Sequence, residues 1–245
     1  MSPVPVAPRS RPWNEALDPP VEWLVRANRH ALVTRMVATT VHDVSNALQV
    51  MSGAAEMLGL DPGPEQVARR SGSIVQQAMG ATGVLQRLTA FARDPQRPAE
   101  RVRLLDLAAR VLEMRQYALR KGRIATEVRG DDAVATAPAR DLLQVLLNLV
   151  VNAEAALADR PSPKLALIVT ATDGGASITV DDTGPGFAPG SEAAWFLWPP
   201  PSPGESGALG VGLLVARALV ELAGGTLTLG AGAAGGAAVT VNLRG

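Results

Sequence analysis

The chain has 245 residues, of which 47% are apolar but only 3% aromatic, so it can build a real core, made mainly of Leu, Val and Ala. Formal net charge is zero and cysteine is absent, so nothing recommends nucleic acid or an anionic membrane as partner, and disulfides and thiolate metal sites are excluded. No apolar run reaches the ~18–20 residues of a membrane span, no signal-peptide pattern opens the chain, and the cytoplasm is the expected compartment.

Residues 1–20 hold prolines at 3, 5, 8, 12, 19 and 20 with no periodicity, and read as a disordered or polyproline-like leader. From Val21 to about Leu60 a helical pattern runs nearly unbroken, with a seam at Leu32, Met36, Thr40, Val44, Leu48, Met51, Ala55 and Leu58. GLDPGPE at 59–65 breaks it: Gly59 suits a helix C-cap, and Pro64 suits the first turn of the next helix. That helix runs to about Arg93. Two long helices joined by a short turn make an antiparallel hairpin over 21–95. Such a hairpin has too little interior alone, and pairing two of them in a homodimer gives a four-helix bundle.

DPQRP at 94–98 marks a boundary, after which helices and strands alternate. A short strand and helix fill 102–120, a strand follows at 123–128, and a long apolar helix at 140–157. KLALIVTAT (164–172) and ASITVDD (176–182) are adjacent strands, and a loop occupies 183–208. A helix from Gly210 and the strands TLTLG and AAVTVNL complete the chain. The fold class is therefore α+β: a helical hairpin, then a two-layer α/β sandwich over 98–245.

Four segments can carry chemistry. His42 lies roughly 200° around the helix from Thr40 and Val44, so it points away from the seam, beside Asp43 and one turn before Asn46. An imidazole held there is either a solvated surface residue or a nucleophile. In NLVVNAEAAL, Asn148 and Asn152 share one side of an apolar helix. They either satisfy neighbouring backbone or offer amides, Asn152 to Mg²⁺ and Asn148 to a phosphate. VDDTGPGF places Asp182 at a strand end before Gly184 and Gly186. It is a plain turn, or a carboxylate that takes an exocyclic amine with backbone approaching a flat ligand. Gly207, Gly210 and Gly212 lead into a helix whose first N–H groups can bind phosphate without lysine. His30, among Arg26, Asn28 and Arg29, reads as a surface residue, and Asp131-Asp132 as a turn between strands.

The order and spacing of these segments resemble a two-component sensor histidine kinase. VHDVSNAL is similar to its phosphoacceptor box, NLVVNAEAAL to its asparagine box, and DDTGPGF and GALGVGL to the two glycine boxes of the ATP-binding domain shared with gyrase. The resemblance implies that His42 attacks the γ-phosphate of ATP while Asp43 takes or orients the other ring proton. It further implies that Asn46 positions water to dephosphorylate a partner, that Asp182 reads adenine and that Asn152 holds Mg²⁺. The implied partner is a response regulator receiver domain, phosphorylated on aspartate. About 20 residues precede the first helix, so the signal is expected from an upstream sensor that the sequence does not identify.

Two departures stand out. Ala47 occupies the position where many family members have proline, so the first helix should be straighter. The segment matching the ATP lid, 187–208, contains neither Lys nor Arg, and its Trp195-Phe196-Leu197-Trp198 only loosely resembles the family's aromatic anchor. The rival readings are a kinase-like histidine phosphotransferase or regulator phosphatase without autokinase activity, and an interaction module.

Overall fold

A computed structural model describes residues 20–60, 63–93, 98–188, 190, 194–196, 211–233 and 235–245. The leader expected at 1–20 lies outside the described residues except for Pro20, as does most of the boundary at 94–98. The chain divides into two compact units, one formed by residues 33–95 and the other by 1–32 together with 96–245.

Helix α1 spans Val21–Leu58 and α2 spans Pro64–Ala92. Gly63 is extended at the α2 N-cap with Pro64 at the first helical position, where its missing N–H costs nothing. The Arg70 guanidinium donates to the Met57 carbonyl across the turn. α1 passes through Ala47 without a break, as a residue other than proline allows. Within 33–58 the expected seam is buried at Met36 and Thr40, whereas Leu48 is 54% exposed.

The second unit follows as β1 (Glu100–Arg103), α3 (Leu104–Lys121), β2 (Ala125–Gly130), β3 (Val134–Ala137), α4 (Ala139–Ala156), β4 (Lys164–Thr172) and β5 (Gly175–Asp182). After a 3-10 turn at Ala194–Phe196 come α5 (Gly212–Leu222), β6 (Thr226–Ala231) and β7 (Ala237–Arg244). Five strands form one sheet in the order β2-β4-β5-β7-β6, with β2 and β4 parallel and the other pairs antiparallel. β1 and β3 form a separate two-stranded ribbon.

Period-2 alternation sends one set of side chains toward the helices. Leu165, Leu167 and Val169 of β4, Ile178 and Val180 of β5, and Val239, Val241 and Leu243 of β7 are all buried. On the other face Thr179 and Thr240, paired in register, join their hydroxyls at 2.9 Å. Helix α4 supplies Leu142, Leu143, Leu146, Leu147 and Val150 to the core and packs against α3, α5 and β5. Arg115 of α3 and Glu154 of α4 form a buried two-pronged ion pair, with Arg115 Nε donating to Oε1 at 2.8 Å.

Candidate functional site

Alternation along β5 puts Asp182 on the same face as Ile178 and Val180, so its carboxylate turns inward and is only 6% exposed. Its Oδ1 accepts the Gly184 N–H at 2.7 Å and the Ala237 N–H at 3.3 Å. Burial pushes this carboxyl above the usual aspartate range; the two backbone donors pull the other way, and the Asp181 charge adds to the rise. With both donors on Oδ1, Oδ2 is the oxygen that can take a ligand amine.

The glycines beside it are required by geometry. A Cβ on Gly184 would stand 2.8 Å from Asp182 Oδ1 and 3.2 Å from Ala156, and Gly186 has φ +74°. The Gly184 constraint also shows that the end of α4 abuts the end of β5. The Gly-rich segment between β6 and β7 also reaches this strand end. A Cβ on Gly236 would overlap the Asp182 backbone carbonyl, so that segment packs against the strand end that carries the carboxylate. The spacing within the segment gives no hint of this, because the contact joins neighbouring strands that are far apart in sequence.

Asn148 and Asn152 lie one turn apart on α4, but their environments differ. Asn148 is 2% exposed, whereas Asn152 is exposed. A Cβ on Gly212, the first residue of α5, would stand 3.3 Å from Asn148 Oδ1 and 3.5 Å from Asn152 Oδ1. Among the described residues the start of α5 has no side-chain cap, and the first N–H groups of a helix are suited to an anion. Gly207 and Gly210 lie outside the described residues. A half-buried strand end with an inward carboxylate, an uncapped helix start and a solvent-facing amide form a donor set that suits an amino-purine, its phosphates and a hard cation.

Among the described residues, Trp195 and Phe196 stand between the glycine-rich segments. Trp195 meets Phe187 edge-on at 5.7 Å between ring centroids, and Phe196 is buried with the Arg217 guanidinium 4.8 Å from its ring. Phe187 follows Gly186, and Arg217 belongs to α5, so this pair is tied to both glycine segments. Trp198 lies outside the described residues.

In the helical unit His42 is exposed on α1. Its Nδ1 lies 3.1 Å from Asn46 Nδ2 and 3.7 Å from Asp43 Oδ1. Asparagine oxygen and nitrogen exchange places by a half-turn of the amide. With Oδ1 toward the ring, Asn46 accepts a proton held on Nδ1 and the lone pair falls on Nε2. His30 is exposed, and Asp131-Asp132 sits between β2 and β3, where Asp131 accepts the Ala171 N–H at 2.8 Å and Asp132 pairs with Arg103.

Comparison with known proteins finds a family match for the C-terminal part of the chain. Residues 137–245 match the histidine kinase-, DNA gyrase B- and HSP90-like ATPase family. Over 236 residues the chain is 30% identical to the C4-dicarboxylate transport sensor protein DctS of Rhodobacter capsulatus, covering 91% of this chain and 35% of that protein. It is 26% identical over 239 residues to DctB of Rhizobium meliloti, covering 96% and 38%. The chain therefore spans little more than a third of the length of these curated relatives. The catalytic domain of histidine kinase ThkA superposes with a TM-score of 0.55 at 22% identity, over 60% of this chain and 96% of that domain. ThkA in complex with the response regulator protein TrrA gives a TM-score of 0.52 at 18% identity, over 91% of this chain and 66% of that one. Those two likenesses speak to the fold. The chain carries an ATPase domain of the histidine kinase-, DNA gyrase B- and HSP90-like family over residues 137–245, and its homologues are sensor histidine kinases.

Proposed function

We propose that this chain is an ATP-dependent protein-histidine kinase of a two-component system, with 98–245 as its catalytic domain and 21–95 as its dimerisation and phosphotransfer hairpin. The inward carboxylate of Asp182, braced by two backbone N–H groups and flanked by Gly184, carries the reading. In it, Asp182 accepts the adenine amine, and the helix start marked by Gly207, Gly210 and Gly212 receives the phosphates, with Gly186 shaping the approach. Asn152 suits Mg²⁺, which would offset phosphate charge, and the Asn148 amide, once freed from Asn28, would reach the phosphates beside it.

The Nε2 lone pair of His42 forms a bond to the γ-phosphorus as the bond from that phosphorus to the bridging oxygen breaks, and ADP leaves. The Nδ1 proton stays on the ring, shared with Asn46 or Asp43. The phosphoryl group then passes to an aspartate of a response regulator receiver domain and the imidazole is regenerated. Asn46 also positions water against the phosphorylated regulator. Exposed Val37, Val41, Leu48, Val75, Met79 and Leu85 favour a homodimeric four-helix bundle. ATP and receiver domains belong to the cytoplasm, where this reaction would run.

One observation favours a second reading. The segment 187–208 has no Lys or Arg, and Arg217 is engaged on Phe196, which suits a histidine phosphotransferase or regulator phosphatase without autokinase activity. Incubation with γ-labelled ATP and Mg²⁺ separates the two. Acid-labile, base-stable label in the native chain, absent from His42→Ala, is expected of the kinase. ATP binding without label gives the second reading, and label persisting in His42→Ala removes the acceptor assignment.

A further inference from the structure

The first three turns of α1 belong to the same compact unit as the sheet, and the face they bury is partly polar. Leu24, Val25 and Leu32 are buried there, and so are Asn28 at 6% and Arg29 at 2% exposure. On α4, Gln144 is 0% and Asn148 2% exposed. Asn28 Nδ2 donates to Asn148 Oδ1 at 2.9 Å, and Asn148 Nδ2 donates back to Asn28 Oδ1 at 2.9 Å. Gln144 Nε2 donates to the same Asn28 Oδ1 at 2.8 Å and to the Val25 carbonyl at 2.9 Å, while its Oε1 accepts Arg29 Nε at 3.0 Å. Both polar atoms of Asn148 are thus occupied by a residue 120 positions away.

A contact that served only stability would gain more from apolar side chains. Amides buried against amides exchange bonds that water offers equally well, so their net contribution is small while their geometric demands are strict. Such an interface is specific and readily reversed. It also sits on a functional spot, since Asn148 is the residue that Gly212 of α5 approaches.

We propose that residues 21–32 are an autoinhibitory strap: Asn28 engages the Asn148 amide and keeps it from nucleotide phosphate, and withdrawal or rotation of this segment releases it. The strap rests on the reading of Asn148 as phosphate-facing and supplies the regulation of that site. Turning α1 by one residue, about 100°, carries Asn28 off the α4 face. A twist delivered to the start of α1 therefore acts on nucleotide affinity directly. In the docked state the amides satisfy one another, and in the released state water satisfies them, as a two-state element requires.

The test uses the whole chain with Mg²⁺ and a non-hydrolysable ATP analogue, comparing native protein, Asn28→Leu, Asn28→Asp, Asn148→Ala and the Asn28→Leu/Asn148→Ala double variant by calorimetry. If the docked state holds about nine molecules in ten, releasing it tightens the apparent affinity about tenfold. Asn28→Leu is expected to bind about tenfold tighter, Asn28→Asp less so, and the gain should vanish in the Asn148→Ala background. Analogue added to native protein should also raise amide hydrogen exchange across 21–32, a readout that needs no variant. Unchanged or weaker binding by Asn28→Leu, with exchange across 21–32 unmoved, overturns the strap and leaves the nucleotide site standing. No binding by either native protein or Asn28→Leu overturns both.

Discussion

The sheet unit and the helical unit use their apolar residues differently. In the sheet unit Leu104, Val111, Leu147, Val150 and Leu167 are completely buried. In the helical unit Leu48, Val75 and Met79 are 54%, 57% and 71% exposed, and Phe91 is the buried residue of α2. One unit closes its own core within a single chain, because a sheet with helices on one face can bury both partners. Two helices present stripes that one another's surface cannot fully cover. In the proposed reading, nucleotide binding belongs to the unit that closes its own core, and the phosphoacceptor to the one whose exposed apolar stripe a second copy would cover.

The sharpest test of this division is His42→Ala. It is expected to abolish acid-labile label while calorimetric ATP affinity stays at the native value, since the imidazole and Asp182 belong to different units. Next, Asp182→Asn should weaken ATP binding about 10- to 100-fold, the range for losing a charged hydrogen-bond acceptor. The same variant should raise stability. The folded-state pKa of Asp182 lies above its unfolded value, so stability falls as pH rises through that interval, and the ionised carboxylate is a burden at neutral pH. The gain in melting temperature should therefore appear at pH 7 and vanish in acid, where both states hold the proton. A gain of equal size at every pH would show that charge is not its cause.

A pair of leucines probes the cores. Leu147→Ala should cost about 2–5 kcal/mol of unfolding free energy at any protein concentration, whereas Leu48→Glu should shift sedimentation toward monomer and lower the helical unit's melting by an amount that higher protein concentration partly restores. If Leu48→Glu instead melts the chain at all concentrations, its side chain is packed within one molecule. The smallest effect belongs to Arg217→Ala, which removes the cation above Phe196 and should lower stability by about 0.5–1 kcal/mol, read by thermal denaturation.

Much of the fold could be read along the chain because its signals are local. The alternation in KLALIVTAT and ASITVDD announced β4 and β5, and the same alternation decides that Asp182 faces inward. The turn chemistry of Gly59 and Pro64 announced the break between α1 and α2. β3 is implied only by the turn at Asp131-Asp132 and has no legible bounds, because VATA is four residues long and half alanine, with no alternation long enough to count. Its pairing with β1, and the parallel pairing of β2 with β4 across α4, are non-local choices that no window contains.

The site divides in the same way. The sequence by itself determined which residues could act: a histidine off the helical seam, paired asparagines one turn apart, and glycines beside a strand-end carboxylate. Each follows from residue spacing and backbone periodicity, which operate over a few positions. Only the tertiary structure decided how Asn148 and Asn152 differ. They are alike in type and azimuth, yet one is sealed in an amide network with Asn28 and Gln144 while the other faces solvent. The difference comes from a helix that begins 127 positions before Asn148, Val21 being its first residue. The physical reason is that burial and hydrogen-bond saturation are properties of packed neighbours, and the chain brings those neighbours together only by folding.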